Sequence, residues 1–504
     1  MPSPAPTRDA DDQGLVIPRG ADGKRSSIAL GRQVFADALR VVSADAAAAI
    51  EAEREWHAHY PRHVHRLVVE AARSAAAAQA VARAGLHSLH SRLRFARDGA
   101  EHGVAEALAT AGHDWRVASL RGRGVDEPAA IEVPYRGELL RADALLRQLD
   151  AWLAAGMVEP SLAEMVRWVI AHPDALDLSD QRIALLGARA EMGPLPWLAR
   201  WRAQIVAIDL PRPDIWRRIV ADIDAGNATL LAPLRGGSGN DADAIIGHGG
   251  ADLVADTPGI VDWLCESDLP LVLGAYAYLD GALHVRVSAA MDAIQAAVLA
   301  RRPDSTLAML ATPTDIYAVP AAVREAAHAR FATRGLGAKL AGALSGGRLM
   351  RRNVEHEVIA DGGARYGIAD SMVVQQGPNY ALAKRLQQWR AIDARAAGVR
   401  VSIHVALPAT THSVVKNKLL ANAYRAAIRF GVEAFEPRTA SALMALCLVH
   451  DLRNPRAPAN PGVPLAHPLE LLMHGAAHGG LWRIAHQPRS VLPLAAVLGS
   501  AGLA

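Results

Sequence analysis

From residue 182 to residue 311 short apolar runs alternate with amphipathic segments, and that rhythm restricts the chain to a parallel sheet with crossover helices. The run Arg182-Ile-Ala-Leu-Leu-Gly187 is five residues closed by a glycine, the pattern of a strand buried on both faces. A helix through 197–201, a strand over 204–209, a helix over 215–223 and a strand over 229–233 continue it. Two further units follow, helix 251–265 with strand 271–278 and helix 289–301 with strand 306–311. Five strands separated by helices predict an α/β protein with a doubly wound parallel sheet.

The flanks have a different period. Residues 28–111 are Ala-rich, with Leu67, Val68, Ala71, Ala75, Ala78 and Ala82 at helical spacing. A loop is expected over 121–134, then helices over 139–155 and 161–171, the second opened by Ser161 and Glu164 as a capping box. Residues 332–365 hold many Gly and Arg without a period and predict a mobile insertion. Helix 379–397 and a sixth strand, 399–405, come after it. The map is therefore a tail (1–27), an N-terminal helical domain (28–178), the α/β domain (180–430) and a helical C-terminal cap (431–504). Its length of 504 residues suits two to four domains.

Composition excludes several functions. Lys plus Arg number 54 against 51 Asp plus Glu, and a formal charge of +3 on this length gives no nucleic-acid footprint. The apolar stretches 440–449 and 491–504 fall short of the ~18 to 20 residues that span a bilayer, so no membrane span is expected and both read as buried helices. The two cysteines, Cys265 and Cys447, rule out a disulfide framework or Cys-rich zinc site, and the polar start carries no secretory h-region. A cytoplasmic protein is the expectation.

Two constellations carry chemistry. The turn Gly187-Ala-Arg189-Ala-Glu191-Met192-Gly193 stands between a strand and a helix, and Asp209 ends the next strand. That order places a pyrophosphate on the turn and a ribose diol on the carboxylate. An acid at Asp209 favours NAD over NADP by repelling a 2′-phosphate, while Arg212 argues the other way. The second constellation is Tyr380-Ala-Leu-Ala-Lys384, one helical turn apart, in a chain with only five lysines. A neighbouring ammonium lowers a phenol pKa toward proton transfer with a carbonyl oxygen.

Tyr380 and Lys384, followed by Gly398-Val-Arg-Val-Ser-Ile-His-Val405 and the Pro408 loop with Thr410 and Thr411, resemble the second half of a short-chain dehydrogenase/reductase. The resemblance covers roughly residues 180–425 and implies a Rossmann-like fold, an NAD or NADP cofactor and carbonyl or alcohol redox chemistry. It implies Tyr380 as acid/base, Lys384 on the ribose, and Pro408 and Thr410 near the nicotinamide. The family's phosphate turn, G-x-x-x-G-x-G, is matched by Gly187 and Gly193, but Glu191 takes the place of its middle glycine. The family's serine is matched either by Ser371, nine residues before the tyrosine, or by Thr312 or Thr314 at the end of strand five. No Asn stands in helix 289–301 for its fourth catalytic position.

The histidines read as surface or packing residues: His57, His59, His63 and His65 on one helix, His474 and His478 at helical spacing, with no metal expected. The resulting expectation is an NAD(P)-dependent oxidoreductase of a small or medium apolar substrate. The alternatives are an S-adenosylmethionine-dependent methyltransferase, which shares the turn and acid but not the Tyr/Lys pair, and a non-catalytic Rossmann-like binding protein. Apolar flanking helices are equally suited to covering a substrate or joining a homo-oligomer.

Overall fold

The computed structural model describes residues 12–110, 112–237 and 239–502. The Pro-rich start (1–11), Ala111 and the last two residues of the apolar stretch 491–504 lie outside the described residues. The centre is a seven-stranded sheet of β1 (Arg116–Arg121), β2 (Arg182–Leu186), β3 (Gln204–Ile208), β4 (Thr229–Leu234), β5 (Leu271–Ala275), β6 (Thr306–Ala311) and β7 (Val401–Val405). Its spatial order is β7-β6-β5-β2-β3-β4-β1. Strands β2 to β7 are parallel, and β1 joins β4 antiparallel at one edge. All six expected strands are present. Order reverses between β2 and β5, so the loops after these two strands diverge and leave a crevice at their carboxyl ends.

Period-two alternation sends each strand's side chains to two cores. Ala184, Leu186, Val206, Ile208, Leu273 and Met309 enter one; Ile183, Leu185, Ile205, Ala207, Val272 and Ala308 enter the other. The first core is closed by helices α1 (Ser27–Arg40), α2 (Trp56–Ala71), α3 (Ala75–Arg92), α4 (Gly281–Arg301) and α5 (Gly377–Ala396). The N-terminal helices therefore share a core with the sheet instead of building their own. Trp389 of α5 lies so close to Gly85 of α3 that a Cβ there would meet its ring at 2.3 Å. The second core is closed by α6 (Pro437–Arg453), buried from Thr439 to Leu452, together with helices Ala142–Ala155 and Pro160–Ala171.

Several boundaries differ from the sequence expectation. The expected tail contains a buried strand, Gly14–Val16, whose Leu15 carbonyl accepts from Arg286 of α4. The expected all-helical stretch to 111 is broken after Arg92 by a hairpin, Arg94–Arg97 with Ala100–Gly103, and resumes only as the short helix Val104–Ala109. The β1 edge strand was not anticipated because only Ala118 of its six residues is buried, leaving almost no apolar alternation. Residues 332–365 belong to a longer ordered insertion between β6 and α5. It holds a three-stranded antiparallel sheet, Ile316–Pro320, Arg365–Asp370 and Glu357–Ile359, and helices Ala321–Ala332 and Leu336–Leu344. The helix expected over 197–201 is only Leu195–Leu198, because Pro194 and Pro196 surround its start. The C-terminal helix Pro488–Ser500 is only partly buried, with Val497 65% exposed.

Among the described residues one helix, α4, has the length and apolarity to cross a membrane, and 72% of that window is buried inside the fold. It is a core helix: Arg286 bonds the Leu15 carbonyl, and Asp292 holds Arg390 and His90.

Candidate functional site

A cleft of about 310 Å³ opens over the carboxyl ends of β2, β5, β6 and β7. It draws its wall from the turn after β2 (Arg189, Glu191, Met192), the loop after β6 (Thr312, Thr314), α5 (Tyr380, Lys384) and the loop after β7 (Pro408). Eight of the residues singled out from sequence thus meet in one cavity. Gly187, Gly193, Asp209, Thr410 and Ser371 lie outside its wall.

The Tyr380 hydroxyl donates to Thr312 Oγ1 at 2.8 Å, Thr312 and Thr314 hydroxyls share a bond of 3.0 Å, and Thr314 donates to Gln376 Oε1 at 2.8 Å. A carboxamide oxygen accepts only, so it orients the whole chain of hydroxyls, Tyr380 to Thr312 to Thr314 to Gln376. Of the three hydroxyls weighed from sequence, Thr312, just past β6, is the one that accepts from Tyr380. Ser371 is fully buried elsewhere, its hydroxyl without a partner among the described residues, on the wall of a neighbouring apolar pocket.

Lys384, half-buried one turn along, has only Gln387 Oε1 at 3.4 Å as a partner among the described residues. Burial without a counter-ion holds its ammonium down to about 8. The Tyr380 phenol moves opposite to expectation: burial pushes it up, and the Thr312 hydroxyl only partly offsets this. Sequence reasoning had weighed the lysine without the desolvation.

His284, Tyr278 and Tyr380 form an edge-to-face aromatic cluster, with His284 centroids 4.6 Å from Tyr278 and 5.6 Å from Tyr380. Burial, with the Lys384 ammonium adding to it, holds the His284 imidazole far below its ordinary value and so neutral. Tyr278, Gln376 and His284 were not singled out from sequence. Gln376 and His284 carry no motif, and Tyr278, expected at the end of strand 271–278, lies in the loop after it, since β5 ends at Ala275.

The turn after β2 is built for itself. Gly187 has φ +84°, and a Cβ there would lie 2.6 Å from Ala277 of the loop after β5, so only glycine fits the crossing. Gly187 and Ala188 N–H groups bond the Ile208 carbonyl, Ala190 bonds Gly187, and Gly193 bonds Ala190. Asp209 accepts from Arg189 N at 2.8 Å and Leu210 N at 2.9 Å, which ties the turn to the end of β3 and leaves one lone pair on each oxygen. Burial raises its carboxyl above the usual range. Glu191 reaches across the cleft and accepts the His412 N–H at 3.0 Å, so its charge rests on the loop after β7; Arg189 pairs instead with Asp222 at 3.0 Å.

Three of the clustered histidines are tied to carboxylates. His59 and His63 bond Glu53 at 3.2 and 3.1 Å, and His478 bonds Glu159 at 2.9 Å. His474 lies in a turn and His478 in the loop after it, neither on a helix. Away from the cleft, donor atoms of His113, Asp262 and Glu266 lie within 4.8 Å of one another, but Arg301 already occupies Asp262.

The lone Lys384 gives a pH signature. Its folded value of about 8 lies below the ordinary 10.5, so the unfolded chain binds more protons between these pH values and stability rises with pH there. Lys384→Met should raise the melting temperature at neutral pH, with the gain fading as pH rises through that window. A gain independent of pH would refute a charged, unpaired Lys384.

Comparison with family models, with curated proteins and with solved structures found no match to this chain.

Proposed function

We propose that the protein is an NAD(P)-linked oxidoreductase, acting on the carbonyl or alcohol of a small or medium apolar substrate on a doubly wound, Rossmann-like sheet. The observation that carries the reading is the Tyr380 hydroxyl on Thr312 Oγ1 at 2.8 Å, with the unpaired Lys384 one turn along, in the cleft beside the strand-order reversal. The relative order of the six parallel strands, third-second-first-fourth-fifth-sixth, is that of dinucleotide-binding sheets.

In this reading Thr312 and Tyr380 hold the substrate oxygen, and Tyr380 gives it a proton on reduction or takes one on oxidation. The raised phenol value keeps the hydroxyl protonated in neutral solution, and a ligand that draws the Lys384 ammonium against it would lower it toward a useful acid. A bound nicotinamide supplies or accepts the hydride. Lys384, lacking a carboxylate, is free to hold ribose hydroxyls. The apolar pocket beyond Thr314, Pro408 and Tyr424 measures about 60 Å³. That is less than half the roughly 150 Å³ that takes a benzene ring, so the substrate group seated there is a short aliphatic one.

The two ends of the cleft fit a dinucleotide unequally. The Tyr380 end offers a proton donor and a lone cation. At the turn, the N–H groups of 187, 188, 189, 190 and 193 are all used internally, the following helix has four residues, and Glu191 adds a negative charge. A pyrophosphate there gains little from the backbone. This favours, as the second reading, a Rossmann-like protein that binds a ligand without redox turnover; no feature of the cleft favours S-adenosylmethionine over a nicotinamide. The test is thermal denaturation with NAD, NADP and S-adenosylmethionine, followed by nicotinamide absorbance with short aliphatic aldehydes, ketones and alcohols. Stabilisation by NAD or NADP with turnover supports the oxidoreductase; stabilisation by none and no turnover overturns it.

A further inference from the structure

A second cavity, of about 400 Å³, lies between three segments far apart in sequence: α2, the insertion after β6, and the start of the C-terminal helix Pro488–Ser500. It shares no wall residue with the cleft. Arg62, Arg351, Arg352 and Arg489 face it, against the carboxylates Glu355 and Asp370. The counter-charges are stretched thin. Asp370 is committed to Arg489, and Arg62 turns to Glu53. Glu355 alone serves two guanidiniums, Arg352 at 3.4 Å and Arg351 at 3.9 Å.

Two imidazoles complete the wall. His65 and His356 meet edge to face with centroids 4.7 Å apart, and neither ring has a hydrogen-bond partner among the described residues. Such an arrangement offers ring N–H donors and guanidinium forks to a common centre, with no protein acceptor to satisfy them all.

We propose that this cavity binds a compact, multiply charged anion of the phosphate class. Guanidinium forks match tetrahedral oxyanions in geometry, and charge-assisted bonds to them are about twice as strong as neutral ones. A monocarboxylate would satisfy one fork only, whereas an oxyanion with three or four oxygens reaches Arg351, Arg352 and the imidazoles together. The cavity shares Arg489 with the apolar pocket beyond the cleft but no residue with the cleft itself, and its argument uses no redox group.

His65 gives the site a signature. Burial, with His356 and Arg489 beside it, holds its imidazole down to about 4. The charged groups facing it from every element are Arg62 on α2, Arg351, Arg352, Glu355, His356 and Asp370 on the insertion, and Arg489 on the C-terminal segment. A dianion among them favours the imidazolium, so binding draws in a proton and strengthens as pH falls toward the ordinary histidine value.

The experiment is calorimetric titration of the full chain with inorganic phosphate and with sulfate, at constant ionic strength in sodium chloride. Sulfate stays a dianion throughout, so its pH dependence belongs to the protein. Saturable binding with Kd below about 1 mM is expected. Sulfate affinity should rise severalfold between about pH 8 and about pH 5.5, a rise that His65→Gln abolishes. The exposed double variant R351Q/R352Q, folded by circular dichroism, should lose about tenfold or more. Binding no tighter than chloride, an unchanged affinity in the double variant, or equal sulfate affinity at both pH values would overturn the proposal.

Discussion

Tyr380→Phe should leave the fold and any dinucleotide affinity in place and lower turnover by about 10² to 10⁴, the usual size of an acid/base contribution. The change removes one oxygen, and that oxygen bonds Thr312 Oγ1 and no backbone group. The ring remains edge-on to His284 and Tyr278, so the aromatic cluster keeps its packing. Thr312 then loses its donor but keeps Thr314 as a partner, which limits the structural cost. Thr312→Ala should resemble the Tyr380 variant in kind and be smaller in size, since it removes the positioning of the phenol and one donor to the substrate oxygen while the acid itself survives. The pair should be non-additive, because both act on one oxygen. The measurement is nicotinamide absorbance under saturating cofactor, with kcat and KM separated. Turnover that survives in Tyr380→Phe would move the proton transfer elsewhere, first to Thr314, whose hydroxyl faces the same cleft.

The parallel strands were legible because each is buried on both faces and so is written as an uninterrupted apolar run; β2, β3 and β6 appear within a residue of their expected places. The Tyr380/Lys384 pair was legible from helical spacing alone. What spacing could not carry was the environment: desolvation of both groups dominates their proton affinities, and it comes from the cleft walls that the loops after β2, β5, β6 and β7 bring around α5. The serine substitute shows the same limit. Ser371, Thr312 and Thr314 were all candidates along the chain; in the fold Ser371 lies on the wall of the neighbouring apolar pocket, while Thr312 and Thr314 line the cleft. The glycine turn shows a converse limit. Gly187 is required by the Ala277 crossing and Asp209 by the turn's own N–H groups, so both have structural duties that sequence cannot separate from cofactor contacts.

The insertion is held to α5 by a buried ion pair, and breaking it should have the largest effect on stability of any single change near the cleft. Asp315, just past Thr314, accepts from Arg385 at 2.7 Å and from Gln388 at 2.8 Å, both on α5 next to Lys384. The two charged side chains are 2% and 5% exposed, which excludes water as a substitute partner. Arg385 also donates to Gln388 and to the Ile316 carbonyl, and Asp315 takes the Ile316 N–H, so the network is nearly saturated. Asp315→Asn keeps the shape and leaves the guanidinium without its carboxylate. Stranding a buried charge in this way costs about 3 to 5 kcal/mol, a large share of the 5 to 15 kcal/mol roughly typical of a domain. The double variant Asp315→Leu/Arg385→Met removes both charges and should recover most of that stability, since a buried pair and an apolar substitute are often nearly equal. Turnover should not recover with it. Asp315 fixes the loop that bears Thr312 and Thr314 against the helix that bears Tyr380, and leucine against methionine has no directional bond to hold that register. Denaturant midpoints and turnover of both variants separate the two contributions. A midpoint for Asp315→Asn within about 1 kcal/mol of wild type would refute the network's weight, since surface substitutions away from such features stay near that range.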